Sequence, residues 1–263
     1  MSRLRLGVDK LSSCSGCINE IIYALLSDPL LSELIEISYF PELQDTNVSE
    51  GGFDIFLIEG SVVNREQMDR VKEIREKSKI VIAVGTCSTY GGVQSLRDRI
   101  DINDVKRNVY LRPELIEVEE EVYSIPEIIK TDLAVPGCPI NGDSFLRLMR
   151  KLVLGGGEVL ILESLCAECK RRGNECVLTK GKMLCLGPVV PAGCGAICPS
   201  FGRGCIGCFG IRGDLAAKDA EKLAARMEKL GLGKREDIIS FLMRFSYAKD
   251  KEYFSRIVGG GGK

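Results

Sequence analysis

The cysteines of this sequence divide into three sets of four, and no histidine accompanies them. The first set is Cys14-x2-Cys17 with Cys87 and Cys138, spread across the first half of the chain. The second is Cys166-x2-Cys169-x6-Cys176-x8-Cys185, and the third is Cys194-x3-Cys198-x6-Cys205-x2-Cys208. One close pair with more distant partners is the usual thiolate supply of a cubane [4Fe–4S] cluster. Each set fits that description, so three such clusters are expected. Twelve cysteines in 263 residues is below the density of small disulfide scaffolds. In a cytosolic chain, many cysteines point to metal binding or redox work rather than to structural disulfides.

Other uses of the cysteines fit less well. A zinc ribbon spaces its pairs as CxxC-x15–20-CxxC; Cys166–Cys169 and Cys205–Cys208 stand further apart, with four cysteines surplus between them. A thioredoxin-like CxxC opens a helix after a strand, and the Pro- and Gly-rich setting of residues 163–213 does not suit it. For the first set alone, buried free cysteines are the competing reading. The division of Cys176, Cys185 and Cys194 between clusters is open, as is a bystander role for Cys194 or Cys198 at a three-iron centre. The missing histidine excludes Ser–His and Cys–His triads and mixed Cys/His zinc sites. It also removes the side chain best suited to acid–base work at neutral pH, which counts against hydrolytic catalysis by this chain.

The first half alternates strand-like and helix-like segments. Leu4–Val8, Ile35–Phe40, Phe53–Gly60, Lys79–Gly85 and Asp132–Val135 read as strands; helical periodicity covers Ile18–Leu34, Asn64 (as N-cap) to Lys77, and Asp143–Leu154. Such alternation implies an α/β fold, a doubly wound, mostly parallel, flavodoxin-like sheet. Ligands of open parallel sheets sit beyond the carboxyl ends of the strands, where Cys14, Cys17, Cys87 and Cys138 all fall. Gly155-Gly156-Gly157 marks a boundary between residues 1–155, holding the first set, and residues 156–263, a largely irregular Cys-rich domain holding the other two. Helices are expected from Asp214 to about Leu230 and from Arg235 to about Phe245, with a third near the end.

Net charge is −1, which gives no case for a nucleic-acid partner. The distribution is uneven: −8 over residues 1–150 and +7 over residues 151–263. Lys170, Arg171, Arg172, Lys180, Lys182 and Arg203 lie among the second and third sets, either compensating anionic clusters or forming a solvated face. No apolar run is long enough to span a membrane, and Met1–Arg5 leads into a strand-like run without a secretory or twin-arginine pattern. A cytoplasmic location is expected.

Ser13-Cys14-Ser15-Gly16-Cys17, Gly85-Thr86-Cys87 with Gly91-Gly92-Val93, and Pro136-Gly137-Cys138-Pro139 resemble the proximal-cluster motifs of [NiFe]-hydrogenase small subunits. The 20-kDa subunit of respiratory complex I shares them more loosely but lacks a C-terminal cluster domain. Here Cys185-Leu186-Gly187-Pro188-Val189, Ala192-Gly193-Cys194, Cys198-Pro199 and Cys205-Ile206-Gly207-Cys208 resemble the hydrogenase pattern, so the resemblance runs nearly the whole length. Cys166-Ala167-Glu168-Cys169-Lys170 to Cys208, with Gly91–Ser95, most resembles the delta subunit of cytoplasmic NADP-linked hydrogenases (sulfhydrogenases) of hyperthermophilic archaea.

The resemblance implies an electron-transfer subunit with no catalytic residues of its own, an oxidoreductase acting on hydrogen. It assigns Cys14, Cys17, Cys87 and Cys138 to a proximal cluster, Cys194, Cys198, Cys205 and Cys208 to a medial one, and Cys166, Cys169, Cys176 and Cys185 to a distal one. The implied partners are a [NiFe] large subunit, a flavin-containing NAD(P)H-type subunit and a further iron–sulfur subunit. Periplasmic members ligate the distal cluster with one histidine and have a three-iron medial centre; here Cys166 stands at the histidine's place and the third set has four cysteines. All-thiolate ligation implies low potentials. The alternatives are a deazaflavin- or heterodisulfide-reductase-linked hydrogenase, a complex-I-like carrier, and a zinc scaffold. Thr86 and Ser88 are read as sulfur donors or turn formers, Glu20 as an exposed helix residue rather than a proton-path group, and Gly16, Gly137, Gly195 and Gly207 as sites of close backbone N–H approach to sulfur.

Overall fold

The computed structural model describes residues 3–156, 163–212 and 217–245, which fall in two compact units divided between residues 156 and 163. Gly157 of the glycine boundary, the start of the helix expected at Asp214 and the expected third C-terminal helix lie outside the described residues.

In the first unit, β1 (Leu4–Lys10), β2 (Ile35–Tyr39), β3 (Phe53–Glu59), β4 (Ser78–Val84) and β5 (Leu133–Val135) pair in the order β2-β1-β3-β4-β5, every pair parallel. This is the flavodoxin-like order. The helices are α1 (Gly16–Leu26), α2 (Pro29–Leu34), α3 (Arg65–Lys77), α4 (Gly85–Tyr90), α5 (Ile102–Val109), α6 (Ile125–Ile128) and α7 (Gly142–Val153). A sheet covered on both faces needs apolar residues at every strand position, not at alternate ones. Accordingly Ile55 and Leu57 of β3 pack with Ile21, Leu25, Phe145 and Met149, while Phe56 and Ile58 pack with Val71, Ile74 and Ile125.

One predicted helix, Ile18–Leu34, is two. Asp28 accepts the Leu30 N–H at 3.1 Å and Pro29 opens the new helix. Proline lacks an N–H and suits a first turn, so the chain restarts there. Asn64 caps α3 as expected, accepting the Gln67 N–H at 2.9 Å.

The second unit contains α8 (Leu165–Arg171), α9 (Ile197–Ser200), α10 (Ala217–Lys229) and α11 (Arg235–Leu242). Over residues 172–212 the chain is largely irregular apart from α9, tied by single contacts such as Leu186 N–H to Cys205 O at 2.9 Å. Leu223 and Met227 of α10 and Ile238 and Leu242 of α11 are buried. No helix among the described residues is long and apolar enough to cross a membrane.

Candidate metal centres

Three strand ends build the first centre. The chain leaves β1, turns through Ser15 in the left-handed region (φ 65°), and enters α1 with Cys14 exposed and Cys17 buried. The end of β4 runs directly into α4, which carries Cys87, and the end of β5 leads to Cys138. The four thiols lie within electrostatic reach of one another: Cys17 with Cys87 and Cys138, Cys87 with Cys14 and Cys138, and Cys138 with Cys14. Thr86 locks the last two loops together: its N–H donates to Gly137 O at 2.8 Å, and its hydroxyl oxygen accepts the Gly137 N–H at 2.9 Å. Thr86 therefore joins two cysteine loops rather than closing a local turn. Gly137 spends its N–H on that contact, not on sulfur as expected.

Two glycines are required by sulfur. A Cβ on Gly85 (φ +88°) would stand 2.6 Å from Cys17 Sγ, and one on Gly92 (φ +61°) would stand 2.9 Å from Cys87 Sγ. Only glycine combines the left-handed backbone with that approach.

Glu59 is a functional residue that the sequence reading misses. It ends β3 with its residue 2 % exposed, accepting the Cys17 N–H at 3.1 Å and the Ser13 hydroxyl at 3.0 Å. Burial pushes its carboxyl above the ordinary range, against those donors. The only local signal is an acid at the end of the apolar run Phe53–Ile58. Glu20, expected to be exposed, is half-buried and accepts the Gly142 N–H at 2.9 Å, at the start of α7. It acts as a remote cap because its helix lies beside that terminus. The Ser88 hydroxyl is buried without a partner among the described residues.

The second set lines one largely apolar cavity: Cys166, Cys169, Cys176 and Cys185, with Leu165, Leu178 and Pro199. Cys166 and Cys169 sit one turn apart on α8, while Cys176 and Cys185 come from the irregular chain. Cys176 is exposed and Cys185 buried. The third set is gathered by the loops around α9: Cys205 lies within electrostatic reach of Cys194 and Cys208, and Cys194 of Cys198. Two contacts join these sets. The Cys205 N–H donates to Cys185 Sγ at 3.3 Å, and the Glu168 carboxylate accepts the N–H groups of Gly193 (2.9 Å) and Ala196 (3.2 Å) beside Cys194. Ala196 and Ile197, not Gly195, supply the N–H groups facing Cys194 sulfur; Gly207 does so for Cys205.

The donor chemistry calls for a cationic occupant. Burial pushes the thiols of Cys17 and Cys87 up to about 12 and that of Cys166 to about 11, so thiolates there need a cationic partner. Cys176 goes the other way, its sulfur accepting from the Thr179 hydroxyl and from backbone N–H groups. Among the described residues no three Cys, Asp or Glu side chains are gathered closely enough to hold one metal ion. A tetrahedral zinc draws its sulfurs to ~2.3 Å from a single centre, whereas a cubane takes one thiolate at each of four corners. Grouped thiols with N–H groups turned to sulfur are a donor set that fits a cubane.

Comparison with known proteins gives a consistent picture. The family described as NADH ubiquinone oxidoreductase, 20 Kd subunit, matches residues 14–152. The chain is 33 % identical over 209 residues to the delta subunit of sulfhydrogenase 2 of Pyrococcus furiosus, covering 79 % of this chain and 86 % of that one. It is 34 % identical over 255 residues to a subunit of the vhu F420-non-reducing hydrogenase of Methanocaldococcus jannaschii, covering 84 % and 88 %. Among solved structures, a chain of an NAD+-reducing [NiFe]-hydrogenase in its H2-reduced state superposes with a TM-score of 0.54 at 26 % identity, covering 60 % of this chain and 96 % of that one. An actinobacterial-type NiFe-hydrogenase from Ralstonia eutropha shares the fold at a TM-score of 0.56 and 18 % identity, covering 79 % and 78 %.

Proposed function

Since the chain belongs to the 20-kDa-subunit family of NADH ubiquinone oxidoreductase, on the branch of the hydrogenase small subunits, we propose that it carries electrons for a [NiFe] hydrogenase through three [4Fe–4S] clusters. Cys14, Cys17, Cys87 and Cys138 hold the proximal cluster; Cys194, Cys198, Cys205 and Cys208 the medial one; Cys166, Cys169, Cys176 and Cys185 the distal one. The carrying observation is that each sequence set reappears as a spatial group. A bound cubane supplies reversible one-electron transfer.

The protein's own work is positioning. Thr86 and Glu59 fix the first set's loops, so the thiols stand in place before metal arrives. The buried Leu165, Leu178 and Pro199 around the second set exclude water, and N–H groups aimed at sulfur stabilise thiolate charge. The partners are a [NiFe] large subunit and, on the electron-accepting side, a flavin-containing NAD(P)H-type subunit with a further iron–sulfur subunit, in the cytoplasm. The resemblance to a sulfhydrogenase delta subunit supports that NADP-linked assignment. The similar identity to a subunit of an F420-non-reducing hydrogenase supports a second acceptor class, reached through partners other than a deazaflavin reductase. The flavin content of the purified complex separates the two.

The test of the cluster assignment is iron quantitation with electron paramagnetic resonance on the anaerobically purified complex. About twelve irons in this chain, as three cubanes, is the expected result; about four, or zinc in their place, overturns it.

A further inference from the structure

Helix α8 carries a carboxylate and an ammonium group two residues apart. Cys166, Cys169 and Lys170 stand at i, i+3 and i+4 and share one face. Glu168 lies about 200° round the helix from both Cys166 and Lys170, at 3.6 residues per turn. It therefore points away from its own set. Half-buried, its carboxylate accepts the N–H groups of Gly193 at 2.9 Å and Ala196 at 3.2 Å, one on each side of Cys194. Lys170 lines the cavity of Cys166, Cys169, Cys176 and Cys185. One helix thus turns an anion to the third set and a cation to the second.

The thiols register both charges. Burial raises the Cys194 thiol, and the Glu168 charge adds to the rise. Burial also raises the Cys166 thiol, but there Lys170 opposes it. Other charged side chains nearby do not cancel the pattern. Arg171 and Lys180 are exposed and paired with Glu163 and Glu175. Arg172 abuts Gly195 but stands exposed, where solvent screens it. The two sets are also neighbours. The Cys205 N–H donates to Cys185 Sγ at 3.3 Å and the Leu186 N–H to Cys205 O at 2.9 Å. Gly204 permits that approach, since a Cβ there would collide with Leu184 O. An electron shared between such neighbours settles where the local charge is more positive, because the reduced cluster carries one more negative charge.

We propose that Glu168 and Lys170 bias the third and second sets in opposite directions, so that electrons run from the third set to the second. The proposal rests on the reading of both sets as cubane sites. In each transfer one electron leaves the third cluster, which is oxidised, and enters the second, which is reduced. Glu168 holds the third potential down while fixing the Gly193–Ala196 loop; Lys170 lifts the second.

The test is a potentiometric titration of the anaerobic complex followed by electron paramagnetic resonance, with signals assigned to their sets through Cys198→Ala and Cys176→Ala. In the natural protein the second set should take its electron before the third; the reverse order overturns the proposal. Glu168→Gln keeps an acceptor oxygen for the loop and removes the charge. It should move the electron equilibrium about tenfold toward the third set, about 59 mV in the separation of the two midpoints, with full iron. Lys170→Gln should move it the same way by about two- to threefold, an effect that high salt diminishes because the side chain is exposed. Full iron with unmoved midpoints in Glu168→Gln would overturn the bias and leave the cluster assignment standing. Should that variant lose the third cluster, Lys170→Gln decides, and an unmoved second midpoint overturns the proposal. Fewer than two cubane signals from these sets in the natural protein defeats the cluster reading, and the bias falls with it.

Discussion

The residues that shape the first centre are mostly not the cysteines. Glu59 accepts the N–H of Cys17 and the hydroxyl of Ser13 from inside the protein, and a buried donor left without its acceptor costs about 1–3 kcal/mol. Glu59→Ala should therefore lower stability by roughly that amount and reduce iron in the first set, while Glu59→Gln, which keeps an acceptor oxygen, retains most of both. Thermal melting together with iron per chain checks this; full iron in the alanine variant would show that Glu59 has no part in holding the loop. Side chains of this kind are hidden in a sequence because their meaning is tertiary. Glu20 and Gly142 are 122 residues apart, and no local pattern joins them. Glycines are legible only in part. Gly85 and Gly92 are needed because sulfur lies where a Cβ would go, yet Gly137, equally conspicuous in its motif, serves Thr86.

Elements are more readable, and where they are not the reason is physical. The strands stand out as continuous β-branched runs because both faces of the sheet are covered. No element is expected from the sequence between Cys87 and Asp132: α5 is short and, though Ile102, Val105 and Val109 recur at helical spacing, buries no residue, while Gly92–Arg99 is a 3-10 stretch off the 3.6-residue period. The break between α1 and α2 is written as Asp28-Pro29 but is masked by the surrounding periodicity. Asp28 does more than cap α2; its carboxylate also pairs with Arg150 of α7, joining two helices on one face of the sheet. That pairing holds the Asp28 carboxyl below its ordinary value of 3.8. The contribution is present at neutral pH and is lost as pH falls through the lowered value. Asp28→Asn should melt at a lower temperature than the natural protein at pH 7. The gap should close below about pH 3.8; a gap unchanged by acid would place the effect in the cap alone.

At the scale of the whole molecule, the sets differ in how far along the chain they reach. In the first, Cys17 Sγ comes within 3.9 Å of Gly137 O across 120 residues, whereas Cys185 and Cys205, which link the other two, are 20 residues apart. Truncating a fully buried residue of the sheet should thus be felt at the first set. Leu57→Ala should cost about 2–5 kcal/mol and remove up to about a third of the iron. Iron quantitation with resonance spectra of the remaining clusters checks this, and equal loss from all three sets would refute it. The span has a further meaning for biosynthesis. While the ribosome is still making residues before Cys138, a nascent chain has no complete first site to fill. The acceptor for the first cluster is a finished sheet, not a stretch of peptide, so delivery of iron and sulfide to it belongs after folding. Cys166–Cys208 spans few enough residues to be charged as a local loop. Metal-starved cells should then accumulate chains whose sheet is formed and whose first site waits empty, ready for late repair.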